Sequence, residues 1–255
     1  KMSSKAKKVS QEVVTRRIET VVQVLSIMEE EAQKMSWFQR FRLSQSFLWK
    51  KNIDAFFQTA SKNKKKLVEM NAILSQLGIE VCSEAEAGVD IDVEETGTTF
   101  EENSFIKAEA VMKASGLPAL ADDSGIAVDA LNGEPGIYSA RYGFDDSLDD
   151  WGRLLLLLKN TEHVPDGQRQ AAFVAVITLV EPDGRVIQAR GEIHGELTRE
   201  PRGENGFGYD PIFYYPPAGM TTAEMPSEEK NAVSHRGNAL KVLYEKLKEA
   251  GYADK

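Results

Sequence analysis

Apolar positions recur along the chain with two different periods. Val14, Ile18, Val21, Leu25 and Met28 are spaced by four, three, four and three residues, which lines one helical face and predicts a helix over 9–35. The aromatic and basic stretch SWFQRFRLSQSFLWKK, 36–51, predicts a second helix or two short ones. Near residue 53 the pattern changes. IDAFFQTA has strand character, and Leu67, Met70, Leu74 and Leu77 then mark an amphipathic helix that Gly78 stops. IEVCS reads as a second short strand. Thr98 or Thr99, three residues before Glu101 or Glu102, forms a capping box, and the helix it opens runs to Gly116. LPALADD then predicts a strand, the following Ser-Gly a turn, and IAVDAL another strand. AAFVAVITLV, EPDG and RVIQARGEI predict a long hairpin, and GFGYDPIFYY a glycine-rich loop feeding a strand. NAVSHRGNALKVLYEKLKEAG predicts one closing helix. Helices and strands are interleaved and one hairpin is antiparallel, so the fold class is α/β with a mixed sheet. The expected division is a helical extension over 1–52 and a main domain over 53–255.

Composition narrows the setting. No apolar run approaches a membrane span, and the first residues are polar and basic rather than a signal-peptide core. The single cysteine, Cys82, excludes an internal disulfide and points to the cytoplasm. The formal charge of −9 is uneven: residues 1–66 carry 15 basic and 6 acidic side chains, leaving 16 and 34 for the remainder. A basic front invites a nucleic acid partner. A solvated helical face accounts for the charge more simply, and an inner face of a helical hairpin accounts for Trp37, Phe38, Phe41, Phe47 and Trp49.

Four stretches carry candidate chemistry. In SKNKKK, Ser61, Lys62, Asn63, Lys64, Lys65 and Lys66 stand between a strand and a helix start, where unpaired amides and ammonium groups favour a polyphosphate. It is not a Walker A loop. In ALADDSGIAVDA, the neighbouring acids Asp122 and Asp123, with Glu94 and Glu95, supply hard oxygen ligands suited to Mg²⁺. One of these acids can also accept a proton from water, and a cation would remove the repulsion between the pair. Gly208 belongs to a flexible run in which Phe207 and Tyr209 offer flat faces for a base, and Asp210 an acceptor for ring N–H groups. Lys230, His235 and Arg236 are donors for phosphate or purine carbonyls.

SKNKKK, EETGTTFEENSFIKAEA, ALADDSGIAVDALNGEPGIYSARYG, RQAAF, GFGYDPIF and EEKNAVSHRGNAL occur in the order found in the inosine triphosphate pyrophosphatase family, which this chain resembles from about Phe56 to about Lys248. The resemblance implies a central mixed sheet with flanking helices in two lobes around a cleft. It implies Mg²⁺-dependent hydrolysis of XTP, ITP or dITP to the monophosphate and pyrophosphate, cleansing the nucleotide pool, and a homodimer. By motif match, the Ser61–Lys66 loop and Lys107 would reach the phosphates. Glu95, with Glu94, and Asp123 would serve the metal. Asp123 would take the proton from water, with Asp122 beside it as a catalytic residue, and Ser124 would bind substrate. Phe207 to Asp210, Lys230, His235 and Arg236 would surround the purine. Lys65 stands where the family usually has Gly, and the first 52 residues match nothing in the pattern. Two alternatives stay open: a nucleotide-binding regulatory module with reduced turnover, and pyrimidine substrates as in related septum-inhibition proteins.

Overall fold

The computed structural model describes residues 55–59, 67–68, 70–71, 74, 79–83 and 89–252. The expected helices of the 1–52 extension, its boundary with the main domain and the 61–66 phosphate loop lie outside these residues. Seven strands form one mixed sheet in the order β2-β1-β3-β4-β5-β6-β7. They are β1 Ala55–Thr59, β2 Ile79–Ser83, β3 Ala119–Val128, β4 Gln170–Val180, β5 Val186–Leu197, β6 Phe213–Tyr215 and β7 Met220–Thr221. β1 is parallel to both β2 and β3, and every pairing from β3 to β7 is antiparallel. Parallel neighbours need a crossover. Helical residues between 67 and 74 lie in the first, and α1, Phe100–Ser115, lies in the second. Among the described residues no helix is long and apolar enough to cross a membrane.

α1 begins where the Thr-Glu spacing predicts. Thr99 accepts a hydrogen bond from the Glu102 amide, Glu102 accepts one from the Thr98 amide, and Gly116 ends the helix in the left-handed region. Strand alternation then assigns the two faces of the sheet. Ala119 and Ala121 of β3 pack with Ala108 and Val111 of α1. Leu120 of β3, with Ile177 and Leu179 of β4, packs with Leu240, Leu243 and Leu247 of α4, His235–Glu249. Odd positions of this part of β3 therefore face α1, and even positions face α4.

Three elements differ from the sequence expectation. β3 is one continuous strand through Ser124 and Gly125, not two strands around a turn. All ten of its residues pair with β4, from Ala119 opposite Val180 to Val128 opposite Ala171. Gly125 serves close approach, since a Cβ there would lie 2.3 Å from the Gly136 carbonyl oxygen. The two acids thus sit in the middle of a strand. The closing helix is broken into α3, Ser227–Val233, and α4, because Ser234 takes an extended conformation and caps the Gly237 amide. A further helix, α2 Asp150–Asn160, is capped by Asp149 on the Gly152 amide; its run Leu154–Leu158 carries no helical period on its face.

Gly191 on β5 lets the start of α4 lie directly on the sheet. A Cβ at this position would stand 2.1 Å from the Ala239 nitrogen and 2.3 Å from the His235 carbonyl oxygen. Gly191→Ala is expected to lower unfolding stability by about 1–3 kcal/mol, the usual range for overpacking. Urea titration followed by circular dichroism checks this, and an unchanged midpoint would contradict the packing described.

Candidate active site

A cleft of about 500 Å³ opens beside the middle of β3, lined by Glu95, Lys107, Asp122 and Ser124 together with Phe207, Asp210, Lys230, His235 and Arg236. Its two ends are built by the helices on opposite faces of the sheet. On the α1 side, the Lys107 ammonium donates to Asp123 Oδ1 at 2.7 Å, to Glu95 Oε1 at 3.0 Å and to the Asp122 carbonyl at 3.1 Å. Arg141 donates to the other Glu95 oxygen at 2.7 Å. Burial pushes the Glu95 carboxyl up, but Lys107 and Arg141 outweigh it and hold the group below its ordinary value. Burial depresses Lys107, and Asp123 and Glu95 more than reverse this, so its ammonium is held above the ordinary lysine value.

Asp122 points the other way. Its side chain is fully buried on the α4 face, where Oδ2 accepts from Arg236 Nε at 3.0 Å and Oδ1 from the Ser124 hydroxyl at 2.9 Å. Arg236 Nη2 donates to the same hydroxyl at 3.1 Å. The expectation that one cation relieves repulsion within the acid pair is therefore corrected. The carboxyls leave opposite faces of the strand, and each has its own positive partner.

Glu94 and Glu95 also separate. In the irregular segment before α1, Glu95 is half-buried in the cleft while Glu94 is exposed and outside its lining. Among the described residues no three His, Cys, Asp or Glu side chains form a metal cage. The pair Glu95 and Asp123 still suits Mg²⁺: both carboxylates converge on one ammonium, a stand-in cation, and Mg²⁺ is commonly held by one or two carboxylates with water and substrate phosphate completing its shell. Asp122, engaged by Arg236 and Ser124, is not part of that pair.

The opposite end of the cleft is aromatic and cationic. Asp210 organises it, accepting from Lys230 at 2.6 Å, from the Phe207 amide at 2.8 Å and from the Thr222 hydroxyl at 2.8 Å. Its carboxylate therefore fixes the loop and Lys230. Gly206 is required here, with φ +78° and the Asp210 carboxylate 2.1 Å from any Cβ. Lys230 Nζ lies 5.2 Å and the Arg236 guanidinium 5.9 Å from the Phe207 ring centre. His235 stacks on Phe173 at 4.9 Å. Tyr209 also lines the cleft, its hydroxyl donating to the Ser139 carbonyl, and burial pushes that hydroxyl up. Ser61 to Lys66 lie outside the described residues. The sequence reading passed over Arg141 and Phe173; each lies in a segment quoted for its motif, but neither has a local pattern that announces a role.

The depressed Glu95 carboxyl contributes stability that is complete above its ordinary value of 4.5 and lost as pH falls through its lower folded-state value. Lys107→Met removes a cation that causes the depression. Measured in a chelator, its loss of melting temperature between about pH 6 and about pH 4 is expected to be smaller than that of the wild type. Equal losses would contradict the charge assignment.

The Ham1 family model matches residues 57–246. A dITP/XTP pyrophosphatase of Shigella flexneri is 48% identical over 191 residues, covering 74% of this chain and 96% of that protein. One from Haemophilus ducreyi is 49% identical with the same coverage. The solved structure of a HAM1 protein from Coxiella burnetii superposes with a TM-score of 0.71 at 46% identity, covering 76% of this chain and 99% of that one. The Ham1 protein of Staphylococcus aureus gives 0.70 at 42%, also covering 76% and 99%. The chain belongs to the Ham1 family.

Proposed function

We propose that the chain hydrolyses the α–β phosphoanhydride bond of non-standard purine nucleoside triphosphates, XTP, ITP and dITP, releasing the monophosphate and pyrophosphate. The observation that carries the reading is the cleft with two unlike ends: at one, Glu95 and Lys107 line it and Lys107 pairs with Asp123 next to the lining, and at the other lies an aromatic–cationic pocket around Phe207. The names of the relatives supply the substrate class. Glu95 and Asp123 would hold Mg²⁺, which when bound shields the phosphate charge from the attacking water.

Asp123 takes one proton from that water as its oxygen bonds to phosphorus, and the bridging oxygen leaves with pyrophosphate. Lys107, already bonded to Asp123, orients the carboxylate and faces the phosphates. Ser61 to Lys66 grip the polyphosphate tail through amides and ammonium groups. Phe207 stacks on the base while Lys230, His235 and Arg236 donate to its acceptors. A 6-oxo purine accepts at the position where adenine carries an amino group, so ATP would leave these donors unpaired and be rejected. Removing such triphosphates would cleanse the nucleotide pool in the cytoplasm.

Pyrophosphate release from ITP, XTP, dITP, ATP and dTTP in Mg²⁺ tests the reading. The first three are expected to be preferred, and a preference for dTTP or ATP would overturn it. Asp123→Asn is expected to lower turnover of ITP by about 10²–10⁴-fold, the range for loss of a general base. A variant as fast as the wild type would remove the role given to Asp123.

A further inference from the structure

We propose that Asp122 is a positioning residue for the base end of the cleft: it holds Arg236 in place there and so sets selectivity for the base, with no share in the metal. The inference rests on the functional reading above and deepens it. Asp122 leaves β3 on the face opposite Asp123, and its carboxylate, the Ser124 hydroxyl and the Arg236 guanidinium close a ring of three hydrogen bonds at 2.9, 3.0 and 3.1 Å. The charged side chains are 0% and 3% exposed.

Stability alone is a poor reason for such a pair, because desolvation of both ions offsets their attraction and apolar replacements are often as stable. The position of Arg236 makes the arrangement more demanding still. It lies in the first turn of α4, at the positive end of the helix dipole, where a cation is disfavoured and an acid is usual. A guanidinium kept there needs an opposing charge, and Asp122 supplies it. The result is a rigid fork lining the cleft 5.9 Å from the Phe207 ring. Without the carboxylate, the dipole and the loss of hydration would both drive Arg236 outward, and the pocket would lose a donor fixed against a 6-oxo group.

The experiment measures KM and kcat for ITP and ATP, and the Mg²⁺ concentration giving half-maximal rate, in wild type, Asp122→Asn, Ser124→Ala and Glu95→Gln. In Asp122→Asn the KM for ITP is expected to rise about 10- to 100-fold, as for loss of one charge-assisted hydrogen bond, and the ITP-to-ATP preference to fall. Its Mg²⁺ requirement should stay that of the wild type, while Glu95→Gln raises it. Ser124→Ala keeps both charges and is expected to shift KM and preference in the same direction by about 3- to 10-fold, which preserves the test if the asparagine variant does not fold. Wild-type protein that does not turn over ITP overturns the functional reading and this inference with it. Active wild type overturns the inference alone if the Asp122 or Ser124 variants keep its ITP-to-ATP preference, or if they raise the Mg²⁺ requirement as Glu95→Gln does.

Discussion

Successive side chains of a β-strand leave opposite faces of the sheet, and this constraint organises the whole cleft. Asp122 and Asp123 are adjacent in sequence yet serve different helices. Asp123 meets Lys107 of α1, and Asp122 meets Arg236 of α4. Neighbouring acids in one strand thus become two ion pairs, each carboxylate with its own cation.

The fold supplies what those pairs need. β3 lies third in the sheet and, among the described residues, meets β1 only at Ala119 and Leu120, but it pairs with β4 along its whole length, so the acids are held on a strand rather than a loop. α1 packs small residues against one face, bringing Lys107 within reach of Asp123 and the Asp122 carbonyl. On the other face, Gly191 admits the first turn of α4 so closely that His235 and Arg236 arrive at the cleft with little freedom. Asp210 performs the matching service for the glycine-rich loop, fixing both Phe207 and Lys230 from beneath.

Much of this arrangement is legible in the residues. Threonine and glutamate spacing marks the start of α1, apolar runs mark the hairpin of β4 and β5, and the motif order brings the cleft residues together in one family pattern. Other features depend on tertiary contacts that no local pattern encodes. Ser-Gly reads as a turn because those residues favour turns, but at 124–125 the pairing with β4 prevails and the glycine makes room for the Gly136 carbonyl. The break before His235 follows from Ser234 acting as a cap, a role hidden inside a stretch whose composition is helical throughout. Asp210 and Tyr209 stand in a glycine-rich loop at the cleft, and their bonds to Lys230 and to the Ser139 carbonyl cross distances that the local sequence does not encode. Arg141 reaches Glu95 across 46 residues, a separation that single-sequence spacing does not bridge.

The division of labour between the two acids is the central claim, and a crystal grown with Mn²⁺ and a non-hydrolysable α,β-methylene analogue of ITP tests it most directly. An anomalous manganese peak is expected at coordination distance, about 2.2 Å, from carboxylate oxygens of Glu95 and Asp123, with the base beside Arg236 and the Asp122 carboxylate still on that guanidinium. Manganese bound by Asp122, or a triphosphate lying on the α4 side of β3, would contradict it.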